Sequence, residues 1–95
     1  MKKVYLSSVA EETIGIFFEK YKGNKINDLP QRALIYRRIR EFLASFDISQ
    51  TYIINGKKYV DIENICSVEF LMRNNATEIL ITNIYFNEEI IELFF

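Results

Sequence analysis

The chain contains no histidine and a single cysteine among its 95 residues. Without histidine there is no Ser-His-Asp or Cys-His nucleophile system, no imidazole general base and no imidazole metal ligand. One cysteine, Cys66, excludes an internal disulfide framework and a cysteine-based metal site by count. A dominant charge is also lacking: 12 basic side chains face 13 acidic ones, for a formal net charge of -1. No overall basic field exists to hold nucleic acid non-specifically, so any RNA or DNA contact must come from a local patch. No apolar run approaches the ~18 residues that a membrane-spanning helix needs. Met1-Lys2-Lys3 leads into a short strand instead of a signal-type apolar stretch, so a cytoplasmic protein is expected. Phosphate-cradling glycine loops, dinucleotide glycine patterns and nucleophile elbows are absent. Neither repeat, linker nor low-complexity segment divides the chain, which reads as one domain over 1–95.

What the chain does have is apolar content of 49%, with aromatics at 15% of all residues, enough for one modest core. Its organising stretch is Lys58 to Phe86, three strand pieces separated by short polar breaks: Lys58 to Glu63, Ile65 to Met72 and Thr77 to Phe86. Cys66, Val68, Phe70 and Met72 alternate with Ser67 and Glu69, the period-2 pattern of a sheet with one buried face. Arg73-Asn74-Asn75-Ala76 reads as the turn, because Asn tolerates the positive φ of tight hairpins. The strand from Glu78 to Phe86 is apolar on both sides for much of its length, as a central strand would be.

The segment before this sheet reads as helix. After a short strand at Lys3 to Ser7, Ser8-Val9-Ala10-Glu11 has the capping-box pattern of a helix start. Ala10, Ile14, Phe17, Phe18 and Tyr21 share one arc of about 100° on the helical wheel. Gly23-Asn24-Lys25 ends that helix. A second begins at Asp28-Leu29-Pro30-Gln31 and runs to Phe46, burying Ile35, Tyr36, Ile39, Phe42, Leu43 and Phe46. Asp47 to Gln50 is a loop, and Asn55-Gly56 between apolar runs is the strongest short hairpin signal in the chain. Asn87 can cap a final turn from Glu88 to Leu93. The expected fold is α+β: two N-terminal helices packed on an antiparallel sheet of about four to five strands.

Candidate functional residues follow from chemistry. Arg32, Arg37, Arg38 and Arg40 on the second helix suit phosphate or an acidic partner, but Glu41 sits among them and they are not all on one face. Lys57 and Lys58 follow a hairpin tip, where charge also serves solubility. The carboxylates Asp61, Glu63, Glu69 and Glu78 have no metal-ligand spacing and read mainly as exposed outer-face residues. Leu34 stands among charges near Arg37 and Arg38, and Phe94 and Phe95 add apolar area beyond the sheet. These five are the candidate partner-binding residues.

The order strand, helix, helix, meander resembles the RelE/ParE superfamily, the toxins of bacterial type II toxin–antitoxin pairs. Val4 to Glu12 is similar to that family's opening strand and helix start, Ile39 to Leu43 to the end of its second helix, and Val68 to Ile81 to its aromatic–turn–aliphatic hairpin. The resemblance implies a toxin held by a cognate antitoxin, acting by gyrase-type poisoning or translation-linked mRNA cleavage. It implies no metal and no cofactor. Nuclease members use arginines, lysines and often a C-terminal tyrosine. Here Ser67 and Asn87-Glu88-Glu89 stand where basic residues are usual, leaving Lys57, Lys58, Arg73 and Tyr85 as candidate catalytic residues. Loss of such cations costs orders of magnitude in phosphoryl transfer, so target binding is expected over cleavage. The alternative is a small immunity or inhibitor protein on a related scaffold.

Overall fold

A computed structural model of the chain describes residues 2–20 and 29–87. Strand β1 (Lys3–Leu6) leads into helix α1 (Ser8–Lys20), followed by α2 (Leu29–Ser45) and a 3-10 turn at Ile48–Gln50. Then come β2 (Tyr52–Ile54), β3 (Lys57–Ile62), β4 (Cys66–Arg73) and β5 (Glu78–Phe86). The expected Tyr21 contact, the Gly23 stop, the Asp28 cap, the helical turn after Asn87, and both Phe94 and Phe95 lie outside the described residues.

The five strands form one sheet in the order β1-β5-β4-β3-β2. The α+β architecture is the expected one, and the four meander strands pair antiparallel. β1 differs, lying parallel to β5 with Val4 opposite Ile79 and Leu6 opposite Ile81. It reaches the sheet through the helices and not through a hairpin, so no turn dictates its direction.

One face of the sheet is buried. Val60, Ile62, Cys66, Val68, Phe70, Ile79, Ile81 and Ile84 form a core with Ala10, Ile14, Phe17 and Phe18 of α1 and with Ile35, Ile39 and Leu43 of α2. Phe70 and Ile81 are register partners at its centre. Phe46, just past α2, sets its ring edge-on to Phe70 at 5.7 Å.

Local details depart from the sequence pattern for identifiable reasons. The cap of α1 is Ser7 and not Ser8: Ser7 Oγ accepts from the Ala10 amide at 3.1 Å and donates to the Thr82 carbonyl at 3.1 Å. One hydroxyl thus both starts the helix and ties it to β5. Glu63 leaves the strand and, with Asn64, takes positive φ in a tight β3–β4 turn closed by Ile65 N–H to the Ile62 carbonyl at 2.7 Å. Asp47 caps the 3-10 turn by accepting from the Ser49 amide at 3.0 Å. β5 is central in position yet open on one face, with Leu80 half-buried and Tyr85 exposed. A bulge opposite Glu69/Phe70 inserts Thr82, so the inward residues run Ile79, Ile81, then Ile84. That phase change is what makes the strand look apolar on both sides.

Candidate functional site

Both helices cover the same face, so among the described residues the opposite face of the sheet is open. Alternation puts Tyr5, Leu71, Glu69, Ser67, Lys57, Tyr59, Asp61 and Tyr52 there. The Asn55-Gly56 hairpin, with φ of 51° and 78°, sets Tyr52 opposite Tyr59. Their rings stack at 5.7 Å, and Tyr59 meets Tyr85 at 6.3 Å. Four of the six tyrosines (Tyr5, Tyr52, Tyr59 and Tyr85) therefore lie on this face.

Two carboxylates are embedded among them. Asp61 Oδ1 accepts from Tyr52 Oη and from Ser67 Oγ, each at 2.7 Å. Glu69 Oε2 accepts from Thr82 Oγ1 at 2.6 Å, and its Oε1 accepts from Tyr59 Oη at 3.2 Å. Hydrogen bonding to the charged form stabilises it. The Ser67 and Tyr52 hydroxyls hold Asp61 below the ordinary carboxylate range, and the Thr82 hydroxyl, aided by Tyr59 and Lys57, does the same for Glu69. Reciprocally, donation to Asp61 raises the Tyr52 phenol, and desolvation with the Glu69 bond raises Tyr59. Both carboxylates are ionised at neutral pH and both phenols keep their protons.

The proposed catalytic candidates are not assembled. Lys57 points to the open face, with Nζ 3.7 Å from Glu69 Oε1. Lys58, its neighbour on a strand, points to the other face opposite Phe70. Arg73 sits at the far end of β4, its guanidinium 5.6 Å from the centre of the Tyr5 ring. Tyr85 is half exposed, and its Oη accepts from Asn83 Nδ2 at 3.2 Å. Burial pushes the Cys66 thiol up to about 12, with the Asp61 charge adding to it, so Cys66 is not a nucleophile at neutral pH. Among the described residues no group of three or more His, Cys, Asp or Glu side chains could hold a metal ion.

Leu34, Arg37 and Arg38 fall together on the outer side of α2, away from the sheet. Leu34 is half-buried and both arginines are exposed. Arg37 Nε lies 3.9 Å from Glu41 Oε1, a solvated pair worth a few tenths of a kcal/mol. The residues that sequence reasoning undervalued are Tyr52, Tyr59, Asp61, Ser67 and Glu69. The signal was present: a two-residue Asn-Gly loop fixes Tyr52 opposite Tyr59, and two residues on from Tyr59 is Asp61.

No protein-family model and no curated protein matches the chain. Among solved structures, a copper-bound mutant toxin from Helicobacter pylori is similar at a TM-score of 0.48 and 16% identity, covering 94% of this chain and 98% of that one. No helix among the described residues is long and apolar enough to cross a membrane.

Proposed function

We propose that this chain is a RelE/ParE-like toxin that inhibits bacterial growth in the cytoplasm by binding a macromolecular target, and that a cognate antitoxin protein restrains it. The observation that carries the binding half of this reading is the composition of the open sheet face. It offers tyrosines and leucines around two ionised carboxylates, where an RNase would need converging cations. Lys57 is paired with Glu69, Lys58 is turned to the other face, and Arg73 lies over Tyr5. Lys58 on the other face and Arg73 at the far end of β4 are not gathered around Tyr85. The strand–helix–helix–meander order supports the family reading, since the resemblance rests on it. Gyrase-type poisoning fits this face better than translation-linked mRNA cleavage. Antitoxin contact is assigned to the outer side of α2 at Leu34, Arg37 and Arg38, with Phe94 and Phe95 as further candidates from the sequence.

A second reading is favoured by the same two carboxylates. An acidic, tyrosine-lined face also suits an immunity or inhibitor protein that blocks a basic partner. Expression of the chain alone separates the two. Growth arrest relieved by co-expressing the neighbouring open reading frame supports the toxin. Harmless high-level expression with protection against another toxin supports immunity. Rapid mRNA cleavage in a translation extract, abolished by Lys57→Ala or Tyr85→Phe, overturns the binding-only reading.

A further inference from the structure

At the end of the open face that carries the β3–β4 turn, that turn and the end of β5 border a cleft of about 290 Å³. Asp61, Asn64, Ser67, Tyr85 and Asn87 line it, above the buried Cys66. We propose that this cleft receives a cationic side chain of a protein partner, specifically an arginine guanidinium. The inference holds whether that partner is an antitoxin, a target or a toxin to be neutralised, so it does not rest on the toxin reading.

Charge complementarity is the first support. Among the described residues Asp61 is the only carboxylate in the lining, and no lysine or arginine lines it. Both hydroxyl donors, Tyr52 and Ser67, go to Oδ1, while among the described residues no bond is recorded to Oδ2. The carboxylate is thus oriented by one oxygen and offers the other. An anion entering here would meet that charge without a compensating cation, so a phosphate is disfavoured at this position.

Shape and chemistry select arginine. The Tyr85 ring forms one wall and is held in place by the Asn83 amide at its hydroxyl and by the neighbouring Tyr59 ring. A planar guanidinium can stack on such a ring while donating an N–H to the open Oδ2 of Asp61. The Asn64 side chain adds an amide carbonyl as an acceptor for a remaining N–H group. The walls are fixed to each other, since the Asn87 amide donates to the Ile65 carbonyl at 2.8 Å and so joins the end of β5 to the β3–β4 turn. Little ordering is left to be done on binding.

The test is a titration of the full chain followed by amide NMR, using N-acetyl-arginine amide, its neutral isostere N-acetyl-citrulline amide, and inorganic phosphate. The arginine probe should shift the amides of Asp61, Asn64, Ser67 and Asn87 at millimolar concentration, with citrulline and phosphate inert there. Asp61→Asn keeps the shape of the side chain and should weaken arginine binding at least roughly tenfold, the loss of one charge-assisted contact. Tyr85→Ala, at a half-exposed position that should not endanger folding, should weaken it as well, which keeps the proposal testable if the Asp61 variant misfolds. Equal shifts with citrulline, a stronger response to phosphate, or undiminished arginine binding in either folded variant overturns the assignment.

Discussion

Tyr52 and Tyr59 stack across the β2–β3 hairpin with their rings 20° from parallel, yet their hydroxyls serve different carboxylates. Tyr52 donates to Asp61 and Tyr59 donates to Glu69. The stack therefore joins two hydrogen-bonded groups into one row across β2, β3, β4 and the Thr82 bulge of β5. β2 is a three-residue edge strand with all of its residues exposed. Burial cannot hold it, so its attachment depends on its backbone pairing with β3, the ring stack, the Tyr52–Asp61 bond and the Asn55-Gly56 turn.

The pH dependence of stability follows from this row. Asp61 and Glu69 have lowered pKa values, so the fold favours their charged forms. Their contribution is present above the ordinary carboxylate range and is lost as pH falls through the lowered values. Tyr52 and Tyr59 have raised values, so the fold favours their neutral forms, and that contribution is lost as pH rises beyond about 10. The buried Cys66 thiol, raised to about 12, adds to the alkaline loss from the ordinary thiol range upward, so urea midpoints should be flat between roughly pH 5 and pH 8 and should fall on both sides. Tyr52→Phe should flatten part of the alkaline limb and weaken the acid one. At pH 7 it should cost no more than about 1 kcal/mol, because the bond is solvent-exposed. An unchanged profile in Tyr52→Phe means that the Asp61 bond does not persist in solution.

Phe70 tests the core. It is 1% exposed, pairs with Ile81 and receives the edge of Phe46. Phe70→Ala removes an aromatic ring at the point where both helices meet the sheet and should cost roughly 3–5 kcal/mol. A loss below about 1 kcal/mol by chemical denaturation would mean that the inward face of β4 is misassigned.

Two glycines should respond in opposite directions. Gly15 lies inside α1, where an added Cβ meets nothing within 4 Å. Gly15→Ala should stabilise by about 0.5–1 kcal/mol, by restricting the unfolded chain and improving helix propensity. Gly56 is equally unobstructed but has φ +78°. Gly56→Ala should destabilise by about 1–2 kcal/mol from backbone strain alone. Thermal melts of the pair separate the two effects, and stabilisation at Gly56 would contradict the hairpin geometry.

Legibility differed between fold and site for physical reasons. Helix stripes and the Cys66-Val68-Phe70 alternation are local periodicities, so the sequence displayed them directly. Thr82 could not be seen as a bulge, because which residue is extra depends on the pairing of β5 with β4. The direction of β1 was equally hidden, being set by packing across the sheet. Ser7 competed with Ser8 as the cap, and the link to the Thr82 carbonyl that distinguishes it spans almost the whole chain. At the site, grouping Lys57 with Lys58 overlooked the strand period, which turns neighbours to opposite faces. The contact of Asp61 with Tyr52 was derivable from the hairpin register, but its contact with Ser67 also required the register of β3 against β4.

If the chain is a toxin, as proposed, the surface that meets its target can be separated from the one that meets an antitoxin. One exposed leucine requires no explanation. On the open face, however, Tyr5 lies opposite Leu80 and Leu80 opposite Leu71, giving an apolar row across three strands. Leu71 is 55% exposed, so Leu71→Lys should change stability by no more than about 1 kcal/mol while placing a charge in the middle of that row. If the open face binds the target, the variant should fold, retain its antitoxin and lose growth arrest. Leu34→Glu, on the outer side of α2, should show the converse: growth arrest that co-expressed antitoxin no longer relieves. Circular dichroism and urea titration establish folding for each variant before growth is scored. A folded Leu71→Lys variant that arrests growth as strongly as the parent would remove the open face as the target surface. Antitoxin rescue undiminished in Leu34→Glu would remove α2 as the antitoxin surface.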